Sequence, residues 1–134
     1  MAFRADLKTK LRVASDLAAL VAARVHWLQR PRDGLLPAVT IEIFGAGRLY
    51  HHGGAMGLAR PRVRFKCWGE TLEAAVDVAD ALTPAIEAKG TTGTTAFKGA
   101  FLEMETDLAP AELGDGTLVP CAVRDFTVWH QPAS

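Results

Sequence analysis

Between Arg60 and Trp68 the chain alternates without a break: Val63, Phe65 and Cys67 are apolar, and Arg60, Arg62, Arg64 and Lys66 are basic. A period of two over this length specifies a strand with one packed face and one solvated face. From Glu70 the period changes to 3.6, with Leu72, Ala75, Val76, Ala79, Leu82 and Ile86 on one stripe and Glu73, Asp77, Asp80 and Glu87 off it. A helix over about 70–88 with one apolar stripe needs an apolar sheet face to lie on, and the preceding strand supplies one. Pro84 removes a hydrogen bond near the last turn and predicts a kink, and Gly90 is placed to end the helix.

The remaining segments fit the same two-layer plan. Phe3, Leu7, Leu11 and Ala14 recur at helical spacing, so an amphipathic helix opens the chain, and Ser15 or Asp16 can cap a short second helix presenting Leu17, Leu20 and Val21. Arg24 to Leu28 is β-prone and brief, and residues 29–34 are turn chemistry. In Val39–Phe44 the odd positions are apolar and β-branched while Thr40 and Glu42 are polar, the pattern of a strand with one packed face. Residues 45–59 hold five glycines and read as a long loop. Ala96 to Thr106 and Val119 to His130 are two further strands, joined by a linker over 108–118. Phe101, Glu103, Glu105 and Asp107 are expected on one face of the first, with Ala100, Leu102 and Met104 opposite. On the second, Arg124 interrupts the apolar face of Ala122, Phe126 and Val128, so it must snorkel or pair. The expected fold is α+β: one domain over 1–134, with a mainly antiparallel four-stranded sheet and an N-terminal helix and the long helix on one face.

The 134 residues carry 15 Lys+Arg against 15 Asp+Glu, so no global basic field draws the chain to nucleic acid or anionic membrane. No window approaches the roughly 18 apolar residues of a membrane span, and the charged N-terminus is unlike a signal peptide, so no membrane partner is expected. Cys67 and Cys121 stand apart with no metal-site spacing and read as reduced, partly buried thiols. No hydrolase, metalloprotease, phosphate-loop or kinase motif occurs, and Gly45-Ala46-Gly47 opens no dinucleotide-binding unit. The adjacent His51 and His52 read as polar loop residues. No cofactor, metal or catalytic group is therefore expected. Glu103, Glu105 and Asp107 could supply paired carboxylates, but no His or Cys stands nearby in sequence to direct acid–base work.

The charges are segregated. One strand collects Arg60, Arg62, Arg64 and Lys66, and another collects Glu103, Glu105 and Asp107. Three arrangements satisfy this: pairing across strands within the sheet, contact between subunits, or a nucleic-acid-facing surface. The last would make the chain a nucleic-acid-binding module using strand 60–66, although only Trp68 and Phe44 offer aromatic rings near that face.

The order of segments also carries a resemblance. A leading helix, then Asp16–Val25, a Pro-bounded strand, a glycine-rich loop, Gly57–Phe65 with Cys67 and Trp68, and a closing Asp125-Phe126-Thr127-Val128-Trp129-His130 resembles the tail-completion, or tail terminator, family of long-tailed bacteriophages and gene transfer agents. The likeness spans nearly the whole chain, its most telling portion being the arginine-bearing strand that runs into the long helix. It implies a non-enzymatic subunit that forms a ring, usually sixfold, at the head-proximal end of the virion tail. Such a ring stops polymerisation of the tail tube protein and presents a surface to the head-side connector or stopper, with DNA met only in passage through the lumen. Assembly would take place in the host cytoplasm. On this reading the subunit or partner interface draws on Arg60, Arg62, Arg64, Lys66, Glu103, Glu105 and Asp107, and on Arg48, Tyr50, His51 and His52 of the loop.

Overall fold

The computed structural model describes residues 2–22, 24–28, 36–45, 48–51, 54–112 and 118–132. Among them three helices, α1 (Ala2–Arg12), α2 (Ser15–Val21) and α3 (Leu72–Glu87), accompany eight strands of one sheet. The strands are β1 (Val25–Trp27), β2 (Ala38–Gly45), β3 (Arg48–His51), β4 (Gly54–Ala59), β5 (Arg62–Trp68), β6 (Gly90–Thr92), β7 (Thr95–Glu112) and β8 (Leu118–Pro132). The α+β class stands, but the expected four strands become eight.

The centre of the sheet is antiparallel: β2 pairs β5, β5 pairs β8, and β8 pairs β7. The short β1 lies parallel to β2. Within residues 45–59, expected as a loop, the described residues 48–51 and 54–59 instead prolong this ladder. β3 and β4 pair antiparallel from Arg48↔Ala59 to His51↔Gly54, and Ala59 pairs His130 of β8. The glycines there break the hydrophobic period that marks a strand, yet leave backbone groups free to pair. The GTTGTT run is likewise no plain connector, since β6 turns through Gly93 and Thr94 to pair with the start of β7.

Helices cover one face. Val39 and Ile41 of β2, Val63, Phe65 and Cys67 of β5, and Phe126 and Val128 of β8 are buried against Leu7, Leu11, Leu17 and Val21 and against α3. The buried stripe of α3 is Ala75, Val78, Ala79, Leu82 and Ile86. Leu72, expected on that stripe, is exposed, because it sits in the first turn, before the helix passes over the sheet. Thr71 caps α3 by accepting from the Ala74 N–H at 3.1 Å. The helix runs on through Pro84 to Glu87, and Ala88, not Gly90, is its C-cap. Lys10 donates to the Ala88 carbonyl at 2.7 Å, and burial pulls its pKa down. Ser15 does not cap α2; it is the first helical residue, and the N-cap is Ala14, which has no side-chain acceptor to offer.

A ring stack and a carboxylate are among the contacts that tie α1 to the sheet. Phe3 stacks on His130, with ring centroids 3.7 Å apart and planes 9° from parallel. Asp6 accepts from the Thr94 N–H at 3.1 Å and the Thr95 hydroxyl at 2.6 Å, fastening the β6–β7 turn.

Candidate assembly interface

Residues opposite one another in a β ladder share a face, so the register decides where each charge points. Arg62, Arg64 and Lys66 project from the sheet face opposite the helices, as their alternation requires. Arg60 lies outside β5, before Pro61, whose carbonyl accepts from the Val128 N–H at 3.0 Å. Its guanidinium lies 5.6 Å from the Trp129 ring centroid.

The basic row is compensated at one end only. Arg64 donates from Nε and Nη2 to the two Asp125 carboxylate oxygens at 2.8 and 3.0 Å. That hydrogen bonding raises the Arg64 pKa, outweighing the burial that opposes it. Lys66 Nζ lies 3.3 Å from Glu42 Oε1, and Trp68 donates to the Thr40 hydroxyl at 3.0 Å. Cross-strand pairing thus accounts for Arg64 and Lys66, but through β8 and β2 and not through the acidic strand. Arg60 and Arg62 have no ion pair among the described residues. Both line a shallow cleft with Gly45, Glu103 and Thr127. Phe44 stands under the guanidinium groups of Arg62 and Arg64, at 5.4 and 5.0 Å.

The acidic row is not one row. The register of β7 on β8 shifts by one residue between Leu102 and Met104, a β-bulge that turns the side chains from Met104 to Asp107 to the other face. Glu103 accepts from the Thr127 hydroxyl at 2.9 Å, beside the Arg60–Arg62 cleft. Glu105 comes opposite Arg124 and Asp107 opposite Ala122, on the helix side. Met104 moves the other way, to lie opposite Asp125. The expectation that Glu103, Glu105 and Asp107 share a face is therefore corrected, as is the placing of Met104 with Ala100 and Leu102. A single inserted residue has no signature in an alternating pattern whose two faces are both mixed.

Arg124 is paired, as its position requires. Its Nε lies 3.2 Å from Glu105 Oε1, close enough for an ion pair but without hydrogen-bond geometry, its Nη2 lies 4.0 Å from Asp80 Oδ1, and Nη1 donates to the Val123 carbonyl at 3.1 Å. The bulge that splits the acidic row is what brings Glu105 to this buried cation. Asp125, Glu42 and Thr127 are partners that sequence reasoning did not assign. Glu42 was legible as an outward-facing residue, but its partner depended on register.

Arg48, Tyr50 and His51 belong to β3, with Arg48 opposite Ala59, Tyr50 opposite Ala55 and His51 opposite Gly54. His52 lies outside the described residues. Cys67 and Cys121 are buried and form no disulfide, and burial pushes the Cys67 thiol pKa up, away from reactivity. Among the described residues no group of three or more His, Cys, Asp or Glu is placed to hold a metal ion, and no helix is long and apolar enough to cross a membrane.

No protein-family model matches the sequence, and neither does any curated protein. Solved structures do. A chain from the virion of a native gene transfer agent particle superposes with a TM-score of 0.63 at 17% identity, over 94% of this chain and 92% of that one. A second solved chain superposes with a TM-score of 0.50 at 16% identity, with the same coverage. At such identities the likeness is one of fold.

Proposed function

We propose that this chain is a structural subunit of a phage-like virion or gene transfer agent, and within it the tail terminator: a ring, probed first as a hexamer, that caps the tail tube and joins it to the head-side connector. The observation that carries the reading is the correspondence of fold over 94% of the chain with a component of a gene transfer agent virion. The uncovered sheet face supports it. Arg60 and Arg62 have no ion pair there among the described residues, and Phe44, Phe101 and Met104 are exposed on the same face. Uncompensated charge beside exposed apolar surface suits a face completed by another protein.

The test is assembly. Purified chain mixed with tail-tube subunits is expected to give rings of about six copies seated on tube ends, seen by negative-stain microscopy, and to shorten the tubes. A chain that stays monomeric and leaves tube length unchanged overturns the reading. Shortening the β3–β4 hairpin within 48–56 is expected to spare folding and reduce capping.

Phe44 among arginines is the one observation that favours the nucleic-acid alternative, since bases stack on exposed rings beside cations. Internal pairing of Arg64 and Lys66 leaves that reading Arg60 and Arg62 as the cations of this face without an ion pair among the described residues. Salt-sensitive retardation of single-stranded oligonucleotides would support it.

A further inference from the structure

The two faces of the molecule carry unlike charge. On the helix side, residues 69–88 hold five acids and no Lys or Arg. The buried stripe of α3 leaves Glu73, Asp77, Asp80 and Glu87 on its outward side, and all four are exposed. Asp80 stands 4.0 Å from Arg124, while Glu73, Asp77 and Glu87 have no ion pair among the described residues. Leu72, 46% exposed, lies beside Glu73 at the start of the same helix.

On the bare sheet face, Arg60 and Arg62 line one cleft, also without an ion pair among the described residues. Aromatic rings steady them without neutralising them: the Arg60 guanidinium is 5.6 Å from the Trp129 centroid and that of Arg62 5.4 Å from Phe44. Glu103, the acid of the cleft, is engaged by the Thr127 hydroxyl at 2.9 Å and is outnumbered by the two arginines. Phe101 at 62% and Met104 at 55% exposure add apolar surface to this face.

We infer that the bare sheet face receives the outward side of α3 from a second copy, with Glu73 and Asp77 set against Arg60 and Arg62. The inference rests on the ring reading and names the contact between neighbours in the ring. Spacing agrees. Glu73 and Asp77 are about 6 Å apart along the helix axis, and two residues of chain set Arg60 and Arg62 at most about 7 Å apart. Leu72 brings an apolar side chain to a face that exposes Phe101 and Met104.

Charge sets the rivals aside. Two α3 faces meeting about a twofold axis would oppose acid to acid, and two such sheet faces would set Arg60 and Arg62 against their own copies. On the helix side Arg4 lies 5.2 Å from the Trp27 ring centroid and Arg12 donates to the Val25 carbonyl at 3.5 Å, so these cations lean over β1. A polyanion needs a track of cations, and Arg64 and Lys66 of the same row are already paired with Asp125 and Glu42. Because the two surfaces differ, the contact is head-to-tail, the kind from which rings are built.

The experiment is a charge exchange read as tube capping. Arg60→Glu/Arg62→Glu and Glu73→Lys/Asp77→Lys are each expected to lower capping about tenfold or more. Their urea midpoints should stay near the parent's, since all four side chains are exposed and without ion pairs among the described residues. Where a double variant loses stability, Arg62→Glu and Asp77→Lys repeat the test singly. The chain carrying all four changes is expected to cap again. The tube subunits are unaltered, so only a contact between copies can be restored in this way. Loss in both variants without recovery in the combined one overturns the contact and leaves the ring reading standing. Loss in the sheet-face variant alone puts another protein on that face and overturns it too. So does recovery of Glu73→Lys/Asp77→Lys by Arg4→Glu/Lys8→Glu, which would put α1 opposite α3. Salt-sensitive retardation of single-stranded oligonucleotides that Arg60→Glu/Arg62→Glu abolishes would assign the face to nucleic acid, again overturning it. A native chain that neither forms rings nor caps tubes overturns both readings.

Discussion

Arg64 and Asp125 face each other across neighbouring strands, and Arg64 donates two hydrogen bonds to the Asp125 carboxylate, at 2.8 and 3.0 Å, with the Asp125 side chain only 5% exposed and that of Arg64 36% exposed. This pair divides the basic row into two parts. Arg64 belongs to the fold, because without it a buried carboxylate would lose its counterion. Arg62, two residues away on the same face, has no ion pair among the described residues and is open to a partner.

Asp125→Asn is therefore expected to lower stability by about 2 kcal/mol, the scale of a charge-assisted pair at a partly buried site. Arg62→Gln is expected to change it by less than about 0.5 kcal/mol, as for an exposed residue without such a role. Urea denaturation of both variants measures the contrast. Capping of tubes should show the reverse order among folded protein, with Arg62→Gln the more impaired.

The β7 bulge makes an equally sharp distinction between two acids that the alternation treats alike. Glu105→Ala takes the nearest carboxylate from Arg124, a buried cation left with Asp80 at 4.0 Å, and is expected to cost about 1–3 kcal/mol. Asp107→Ala removes an exposed carboxylate that has no ion pair among the described residues and is expected to be near neutral. Equal losses would mean that the register does not shift at Glu103.

What was legible in the sequence follows from this. Helices and central strands were visible because one face of each is uniformly apolar: Val63, Phe65 and Cys67 of β5 could be buried in only one way. The need of Arg124 for a partner was visible for the same reason, as a charge in an apolar row. Partner identity was not, since Asp125 reaches Arg64 through a β5–β8 register that alternation alone does not fix, and Glu105 reaches Arg124 through a bulge in β7 that leaves no periodic trace. The β3–β4 hairpin was hidden differently: glycine-rich strands pair through backbone and show little side-chain pattern.

Backbone constraints at glycine give a third contrast. Gly93 has φ +58°, and a Cβ there would collide with the Asp6 carboxylate that fastens the β6–β7 turn. At Gly69 a Cβ would stand 2.6 Å from the Ala75 nitrogen in the first turn of α3. Gly90 also has positive φ, at +149°, but nothing lies within 4 Å of its Cβ position. Alanine is expected to cost about 2 kcal/mol or more at Gly93 and Gly69, where strain or a fixed neighbour must give, and about 1 kcal/mol at Gly90. Thermal denaturation of the three variants ranks them, and a Gly90→Ala loss larger than the others would refute the steric account.

His130 supplies a pH dependence with a definite sign. Burial pushes its pKa down to about 4, and its ring stacks on Phe3, so in the folded chain it stays neutral to well below the ordinary value near 6.5. Between about pH 6.5 and 4 the unfolded chain binds a proton at this ring that the folded chain does not. Stability from this group is thus fully present above pH 6.5 and falls as the pH drops toward 4. The slope cannot exceed about 1.4 kcal/mol per pH unit for one proton, and it is smaller here because the ring is only half buried. His130→Phe keeps the stack on Phe3 and removes the proton site, so it should lose less stability than the parent between pH 7.5 and 5.5. The other histidines and the carboxylates are common to both proteins and cancel in the comparison. Identical losses, measured by urea denaturation at the two pH values, would show that His130 titrates freely in the folded chain.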